Sequence, residues 1–240
     1  MKTLYMVVPC YNEEAVLRET ASRLKQKFTQ LISDGLIADG SRVVFVNDGS
    51  RDGTWEIISE LHCENSLFSG IDLSRNKGHQ NAVLAGLMTV KELCDVAITM
   101  DADLQDDIDT IDDMIRKFND GADVVYGVRS SRKTDSFFKR FTAEGFYKFM
   151  KLMGVDLVFN HADFRLMSRR VLDALEGYKE VNLFLRGIIP QIGFKSETAY
   201  YERHERFAGE SKYGLGKMIS LAVDGVTSFS VKPLSLINKV

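Results

Sequence analysis

The stretch Val96-Ala97-Ile98-Thr99-Met100-Asp101-Ala102-Asp103 decides the fold class, because a short apolar run ends there in two carboxylates. Two earlier runs have the same form: residues 4–8 lead into Pro9-Cys10-Tyr11-Asn12-Glu13, and residues 43–47 lead into Asp48-Gly49-Ser50. Short apolar runs that alternate with longer helical patterns predict a buried, mainly parallel sheet. Ligands of such sheets bind beyond the carboxyl ends of the strands, so the three polar tips predict one shared crevice.

The rest of the chain extends this α/β pattern, with helices flanking the central sheet. Strands are predicted at residues 4–8, 43–47, 70–73, 96–100 and 124–127, and helices at 14–31, 54–62, 80–90 and 111–119. The second half is less regular. It predicts a strand at 163–167, a short helix at 168–175, a strand at 196–202 and an amphipathic helix at 215–231.

The composition excludes several classes of protein. With 240 residues and 45% hydrophobic content, the chain can bury a core without disulfide or metal staples. A formal net charge of -3 argues against a nucleic-acid binder, and three scattered Cys fit neither a disulfide framework nor a zinc site. No apolar run approaches the ~18 residues of a membrane span, and the N-terminus lacks signal-peptide features. The arithmetic alone therefore predicts a soluble protein of a reducing, cytoplasmic compartment.

The pair Asp101 and Asp103 predicts a site for a hard divalent cation at the end of a strand. Mg²⁺ and Mn²⁺ prefer oxygen ligands and keep positions for water and substrate phosphates, and Gln105 offers a third oxygen. The alternative is an ordinary acidic loop, because Asp-x-Asp is frequent by chance. Seven Asp fall within residues 101–113, and some of them suit the acidic first turn of the next helix.

Three motifs in one order give the chain a family resemblance. Residues 8–14 (VPCYNEE), 46–54 (VNDGSRDGT) and 101–106 (DADLQD) resemble the nucleotide-sugar half of family 2 glycosyltransferases, which have the GT-A fold. Residues 163–169 (DFRLMSR) and 203–213 (RHERFAGESKY) are similar to the polyprenyl-phosphate glycosyltransferases. That group includes bactoprenol glucosyltransferases and dolichol-phosphate mannose synthases. The resemblance covers nearly the whole chain and implies a GT-A-like fold.

The resemblance implies a donor site at the predicted crevice. The nucleotide-sugar would be bound by Pro9, Tyr11, Glu13, Asp48, Asn76, Lys77, Asp101, Ala102, Asp103, Arg203, Ser211 and Lys212. Asp48 would accept a hydrogen bond from a ring N–H of the base, although an Asx turn at Asp48 is the alternative. Asp101, Asp103 and Gln105 would hold Mg²⁺ or Mn²⁺ against the diphosphate. A plain strand-to-helix turn is the alternative for residues 76–78.

The resemblance also assigns the acceptor side. Asp163 matches the catalytic base proposed for the family, but a phosphate monoester, with a second pKa of ~6, is largely ionised and needs a base less than a hydroxyl does. Orienting the acceptor or the sugar is therefore the second role open to Asp163. Arg129, Arg132 and Arg165 are the candidates for the acceptor phosphate. Alternation along a strand places Asp163 and Arg165 on one face, so a mutual salt bridge is the alternative for Arg165.

The implied function is inverting, metal-dependent transfer of a sugar to a polyprenyl phosphate, such as undecaprenyl phosphate in cell-surface polysaccharide synthesis. Glucose from UDP-glucose is favoured, with UDP-N-acetylglucosamine, other UDP-sugars and GDP-mannose open. A catalytic domain is expected at 1–212, divided into a nucleotide-sugar half, 1–128, and an acceptor half, 129–212. Residues 213–240 are expected to form an amphipathic juxtamembrane segment. No nucleic-acid partner is expected, and self-association is left open.

A membrane surface is the expected partner of the acceptor half. Residues 129–151 carry a local excess of five positive charges interleaved with Phe and Tyr, which suits anionic headgroups, although a solvated helix face is the alternative. The resembling proteins commonly continue into membrane spans, which this chain lacks at its end. The cytoplasmic face of the membrane is therefore the expected location.

Three rival functions remain open. The first is a family 2 transferase acting on a saccharide hydroxyl, and the second is a metal-dependent nucleotidyltransferase. The third, a non-catalytic nucleotide-sugar-binding module, is disfavoured by the intact pair of Asp101 and Asp103. The four His are too scattered for a metal cluster and receive no catalytic role; they are His62, His79, His161 and His204.

Overall fold

A computed structural model describes residues 1–130, 161–178 and 184–203. Its strands are β1 Leu4–Cys10, β2 Arg42–Asn47, β3 Phe68–Asp72, β4 Val96–Thr99, β5 Val124–Arg129, β6 His161–Ser168 and β7 Ser196–Tyr201. Its helices are α1 Leu17–Ser33, α2 Thr54–Glu64, α3 His79–Val90, α4 Thr110–Asn119, α5 Arg169–Glu176 and α6 Leu185–Gln191.

The seven strands form one sheet in the order β3-β2-β1-β4-β6-β5-β7. The first four in this order are parallel to one another, and β7 is parallel to β5. Strand β6 runs antiparallel between β4 and β5, pairing Thr99 with Arg165 and Tyr126 with Arg165. The predicted α/β fold with a mainly parallel sheet is therefore confirmed, and β6 is the strand that departs from it.

Two apolar layers cover the faces of the sheet. One face packs against α1, α2 and α4, and α1 buries Leu17, Leu24, Phe28 and Leu31 there because their spacing places them on one side of the helix. The other face packs against α3, α5 and α6. Strands covered on both faces must be apolar throughout, which explains the unbroken runs that open β1, β2 and β4.

Within the described residues, every predicted element has a counterpart in the structure, and α6 is an element that the sequence did not predict. The sequence Leu185-Arg186-Gly187-Ile188-Ile189-Pro190-Gln191 contains both Gly and Pro, residues that disfavour a helix. Its apolar residues Leu185, Ile188 and Ile189 are nevertheless buried in the second layer. Tertiary packing thus outweighs local propensity here, and α6 is absent from the sequence-based prediction.

Several predictions fall outside the described residues. They are Arg132, Ser211, Lys212, the part of the basic aromatic stretch beyond residue 130, the helix at 215–231 and the juxtamembrane segment at 213–240. Within the described ranges, no helix combines the length and the apolar character needed to cross a membrane.

Candidate active site

The loops after β1 and β2 are joined by hydrogen bonds at the carboxyl edge of the sheet. The backbone N–H of Asn12 donates to Ser50 Oγ at 3.0 Å, and that of Glu13 donates to Thr54 Oγ1 at 2.9 Å. The Gly53 N–H donates to a carboxylate oxygen of Glu14 at 2.6 Å. Two of the predicted polar tips therefore form a single connected surface.

Asp48 connects this surface to the turn that follows β3. Its two carboxylate oxygens accept the backbone N–H groups of Lys77 at 2.6 Å and Gly78 at 2.9 Å. The Asx turn that was the alternative for Asp48 is not formed, because the Ser50 N–H donates to Asn47 Oδ1 at 3.1 Å. A carboxylate has about four acceptor positions, so the contact of Asp48 with a base stays a prediction.

Gly49 is required for the close approach of the loop after β2 to the turn after β3. Its φ of +62° lies in the left-handed region, and a Cβ built on it would lie 2.5 Å from backbone atoms of Arg75 and Asn76. We expect Gly49→Ala to lower the free energy of unfolding by about 1–3 kcal/mol, measured by denaturant titration. Gly40→Ala is the matched control, because a Cβ at Gly40 meets nothing within 4 Å. Equal stability of the two variants would contradict this prediction.

The loop after β4 carries Asp101 and Asp103 in a fixed conformation. The Gln105 N–H donates to Asp103 Oδ1 at 3.1 Å, and Leu104 between them has a φ of 58°. Thr20 on α1 donates its hydroxyl to the carbonyl of Ala102 at 2.7 Å. The predicted metal-binding loop is thus anchored to α1 as well as to the sheet.

The donors of this loop fit a hard divalent cation. The Asp101 side chain is 39% exposed, while Asp103 is buried at its side. Desolvation and the charges of Asp163 and Asp103 raise the pKa of Asp101, and His79 opposes this shift. Among the described residues no three His, Cys, Asp or Glu side chains converge on a metal position. The carboxylates of Asp101 and Asp103 and the Gln105 amide are the oxygen donors that Mg²⁺ and Mn²⁺ prefer, and such sites commonly keep positions for phosphate oxygens.

Arg203 and Arg129 lie against the same loop. Arg203, a predicted diphosphate ligand, donates from Nη2 to the side-chain oxygen of Gln105. Tyr201 donates its hydroxyl to Asp106, and Arg129 Nη2 lies 3.6 Å from Asp106 Oδ1. Burial raises the pKa of Asp106 to about 6, with the charge of Asp101 adding to the shift.

Asp163 is held by two guanidinium groups. Arg186 on α6 donates from Nε at 3.1 Å and from Nη2 at 2.9 Å, one bond to each carboxylate oxygen. Arg165 Nη2 donates to Oδ1 at 2.5 Å. Burial alone would raise the pKa of Asp163, but Arg186, His79 and Arg165 outweigh it and hold that pKa well below its usual range. Asp163 is therefore an ionised and weakly basic carboxylate.

The position of Arg165 corrects its predicted role. Arg165 is only 2% exposed, and its guanidinium contacts Asp163 and the Leu185 carbonyl. A side chain buried in this way does not reach an acceptor phosphate, and the mutual salt bridge, the alternative for this residue, is what the structure shows. Arg186, at 30% side-chain exposure, is the more accessible partner of Asp163.

His79 lies between the metal-binding loop and Asp163. Its Nε2 is 3.7 Å from Asp101 Oδ1 and 3.5 Å from Asp163 Oδ2. Burial opposes the charged imidazole, but the interactions with Asp163 and Asp101 outweigh it and raise the pKa of His79 above its usual value. The sequence-based reasoning gave this histidine no catalytic role.

The sequence of the chain also matches a known protein family. The sequence profile described as Glycosyl transferase family 2 matches residues 5–176. The chain belongs to this family. It is a glycosyltransferase, and the predicted resemblance is confirmed.

Individual relatives match nearly the whole length of this chain. The uncharacterized glycosyltransferase YkoT of Bacillus subtilis is 54% identical over 96% of this chain and 68% of its own length. The prophage bactoprenol glucosyl transferase homolog of Escherichia coli is 39% identical over 96% of this chain and 73% of its own.

A solved structure of another enzyme supports the fold. Glucosyl-3-phosphoglycerate synthase from Mycobacterium tuberculosis, in complex with Mn²⁺, UDP and phosphoglyceric acid, superimposes with a TM-score of 0.57. The match has 14% sequence identity and covers 92% of this chain and 75% of that one. The GT-A fold predicted for the glycosyltransferase is thereby confirmed.

The structure places most predicted donor residues of this glycosyltransferase along one edge of the sheet. The described members are Pro9, Tyr11, Glu13, Asp48, Asn76, Lys77, Asp101, Ala102, Asp103 and Arg203. Pro9 and Ala102 are buried, and Asn76 and Lys77 are exposed. Two residues were missed, His79 and Arg186. His79 was open to detection, because it follows the predicted β3 tip and opens a helix at the same edge.

Proposed function

We propose that this glycosyltransferase moves a sugar, with glucose favoured, from a UDP-linked donor to a polyprenyl phosphate such as undecaprenyl phosphate. The observation that carries the proposal is the pairing of Asp163 with two guanidinium groups, which favours its ionised form. A general base works best with a pKa near the operating pH, so Asp163 is poorly suited to activate a hydroxyl. A phosphate monoester, with a second pKa of ~6, is already ionised and needs no such base.

The acceptor class is also supported by relatives. Proteins named bactoprenol glucosyl transferase from Escherichia coli and Shigella phages are 39% identical over at least 95% of this chain. Bactoprenol is a polyprenyl lipid, so we place the reaction at the membrane, on the cytoplasmic face. Residues 1–128 would bind the donor, 129–212 the acceptor, and 213–240 would lie beside the membrane.

The donor end is assigned to the loop after β4. Asp101, Asp103 and Gln105 would hold Mg²⁺ or Mn²⁺, which supplies positive charge against the diphosphate leaving group. Arg203 lies beside Gln105, so its guanidinium is in place to pair with a phosphate of the donor. The nucleoside would lie against Pro9, Tyr11, Glu13 and Asp48, with Asn76 and Lys77 at the neighbouring turn.

The reaction proceeds by a single displacement with inversion. A bond forms between an acceptor phosphate oxygen and the anomeric carbon, while the bond from that carbon to the diphosphate oxygen breaks. The electron pair leaves with UDP, and no proton transfer is required from the ionised acceptor. We assign Arg129 and Arg132 to the acceptor phosphate and Asp163 to orienting the reactants. Arg165 supports Asp163 from the interior.

The test is a panel of donors and acceptors with the purified chain. UDP-glucose, UDP-N-acetylglucosamine and GDP-mannose are each combined with undecaprenyl phosphate in detergent, or with an oligosaccharide, with and without EDTA. We expect UDP release and glucosyl lipid only with undecaprenyl phosphate, lost in EDTA and restored by Mg²⁺ or Mn²⁺. Transfer to the oligosaccharide alone, or pyrophosphate release from UTP, would overturn the proposal. Transfer that survives complete metal removal would overturn the metal assignment.

A further inference from the structure

The side chain of His79 has an unusual environment. Its Nε2 atom is buried and makes no hydrogen bond within the described part of the chain. Carboxylate oxygens of two different strand ends lie near it, that of Asp163 at 3.5 Å and that of Asp101 at 3.7 Å. A buried polar atom without a hydrogen bond costs about 1–3 kcal/mol, so the contribution of Nε2 to stability does not explain its position.

The backbone holds His79 firmly at this position. It is the first residue of α3, and the two preceding N–H groups are fixed by the carboxylate of Asp48. The next residue, Gln80, accepts the backbone N–H of Leu185 at 3.1 Å, which ties α3 to the start of α6. Arg186 follows Leu185 and donates two hydrogen bonds to the Asp163 carboxylate. The imidazole and one partner of Asp163 are therefore placed by the same two helix ends.

We propose that His79 is a positioning residue for sugar transfer, which keeps the carboxylates of Asp101 and Asp163 at a fixed separation by placing Nε2–H between them. The inference rests on the proposed function, in which Asp101 belongs to the donor side and Asp163 orients the reactants. Two carboxylates that lie close to one imidazole nitrogen repel each other, and an N–H directed at them offsets this repulsion. Their spacing sets the distance between the anomeric carbon and the attacking oxygen.

Substitutions that mimic one ring nitrogen at a time separate this role from packing. The side-chain nitrogen of His79→Gln reaches the place of Nε2, whereas that of His79→Asn reaches only the place of Nδ1. We expect kcat for glucosyl transfer to fall about 10²-fold in His79→Ala and His79→Asn. His79→Gln is expected to remain within about tenfold of the unaltered chain, because it restores the N–H between the carboxylates.

Three further readouts accompany kcat. The Kd for UDP-glucose with Mn²⁺ is expected to change less than about threefold, because His79 positions other groups and does not bind the nucleotide. Hydrolysis of UDP-glucose relative to transfer is expected to rise in His79→Ala, since misaligned donor reacts with water. The melting temperature reports folding. His62→Gln is the control. His62 lies near the end of α2, away from the site, and its Nδ1 contacts the carbonyl of Phe68 at the start of β3 at 2.8 Å.

Failure of the inference is distinguishable from failure of the proposed function. If the unaltered chain does not glucosylate undecaprenyl phosphate, the proposed function fails, and the variants are compared by hydrolysis of UDP-glucose. If the unaltered chain transfers glucose but His79→Gln and His79→Asn have equal kcat, the positioning role is overturned. A Kd for UDP-glucose that weakens in step with kcat likewise overturns it, because His79 would then act in donor binding.

Discussion

Asp103→Ala is expected to abolish measurable glucosyl transfer, a loss of at least about 10³-fold in kcat, equivalent to about 4 kcal/mol. The change removes one carboxylate from the predicted cation site. It also removes the acceptor for the Gln105 N–H. The Gln105 side chain, which is the third predicted oxygen ligand and contacts Arg203, is then no longer held in place by this hydrogen bond. Initial rates with UDP-glucose and undecaprenyl phosphate, at saturating Mn²⁺, measure the effect.

Asp113→Ala is the matched control for Asp103→Ala. Asp113 belongs to the same acidic segment, but its side chain is 47% exposed and bonds Lys117 one helical turn away. An exposed pair of this kind contributes only about 0.3–0.5 kcal/mol, so both kcat and stability should stay close to those of the unaltered chain. Full activity of Asp103→Ala would remove the metal hypothesis.

Asp163→Asn is expected to lower the free energy of unfolding by about 3–5 kcal/mol and to remove transfer activity. The substitution keeps the shape of the side chain but leaves Arg165, which is 2% exposed, without its counter-charge. Denaturant unfolding at neutral pH measures the loss. A change below about 1 kcal/mol would show that the two guanidinium groups do not depend on this carboxylate.

A second substitution separates stability from activity in this cluster. Adding Arg165→Met to Asp163→Asn removes the uncompensated buried charge, so the double variant should recover most of the lost stability while activity stays absent.

The pH dependence of the folding stability follows from the lowered pKa of Asp163. An unfolded Asp titrates near about 3.9, so the ionised carboxylate stabilises the fold fully above about pH 5, and this contribution is lost as the pH falls toward the folded-state pKa.

The parallel half of the sheet was accessible to prediction because burial on both faces forces apolar runs. Strands β1, β2 and β4 are such runs, and each ends where polar residues begin. Because ligands of such sheets bind at the carboxyl edge, the sequence also predicts that Asp48 and Asp101 lie in one region. The position of the polar tips at one edge of the sheet follows from this local pattern, whereas their predicted nucleotide and metal roles rest on the family resemblance.

The acceptor side was harder to predict because tertiary contacts decide it. Nothing local specifies that β6 runs antiparallel, and α6 forms through burial in spite of Pro190. Arg186 was therefore not placed near Asp163, and Arg165 was assigned to a ligand when it is paired in the interior. For His79, the position after β3 and at the start of α3 was a usable signal, but its proximity to two carboxylates is set by the three-dimensional fold.

The pairing of β4 with β6 has a consequence for hydrogen exchange. Both strands lie inside the sheet, with neighbours on each side, and Ile98 and Leu166 are fully buried. Backbone amides in such strands exchange with solvent only when the whole fold opens. Asp163 lies in one of these strands and Asp101 just beyond the end of the other. We therefore expect the frame of the reaction centre to coincide with the slowest-exchanging amides of the molecule.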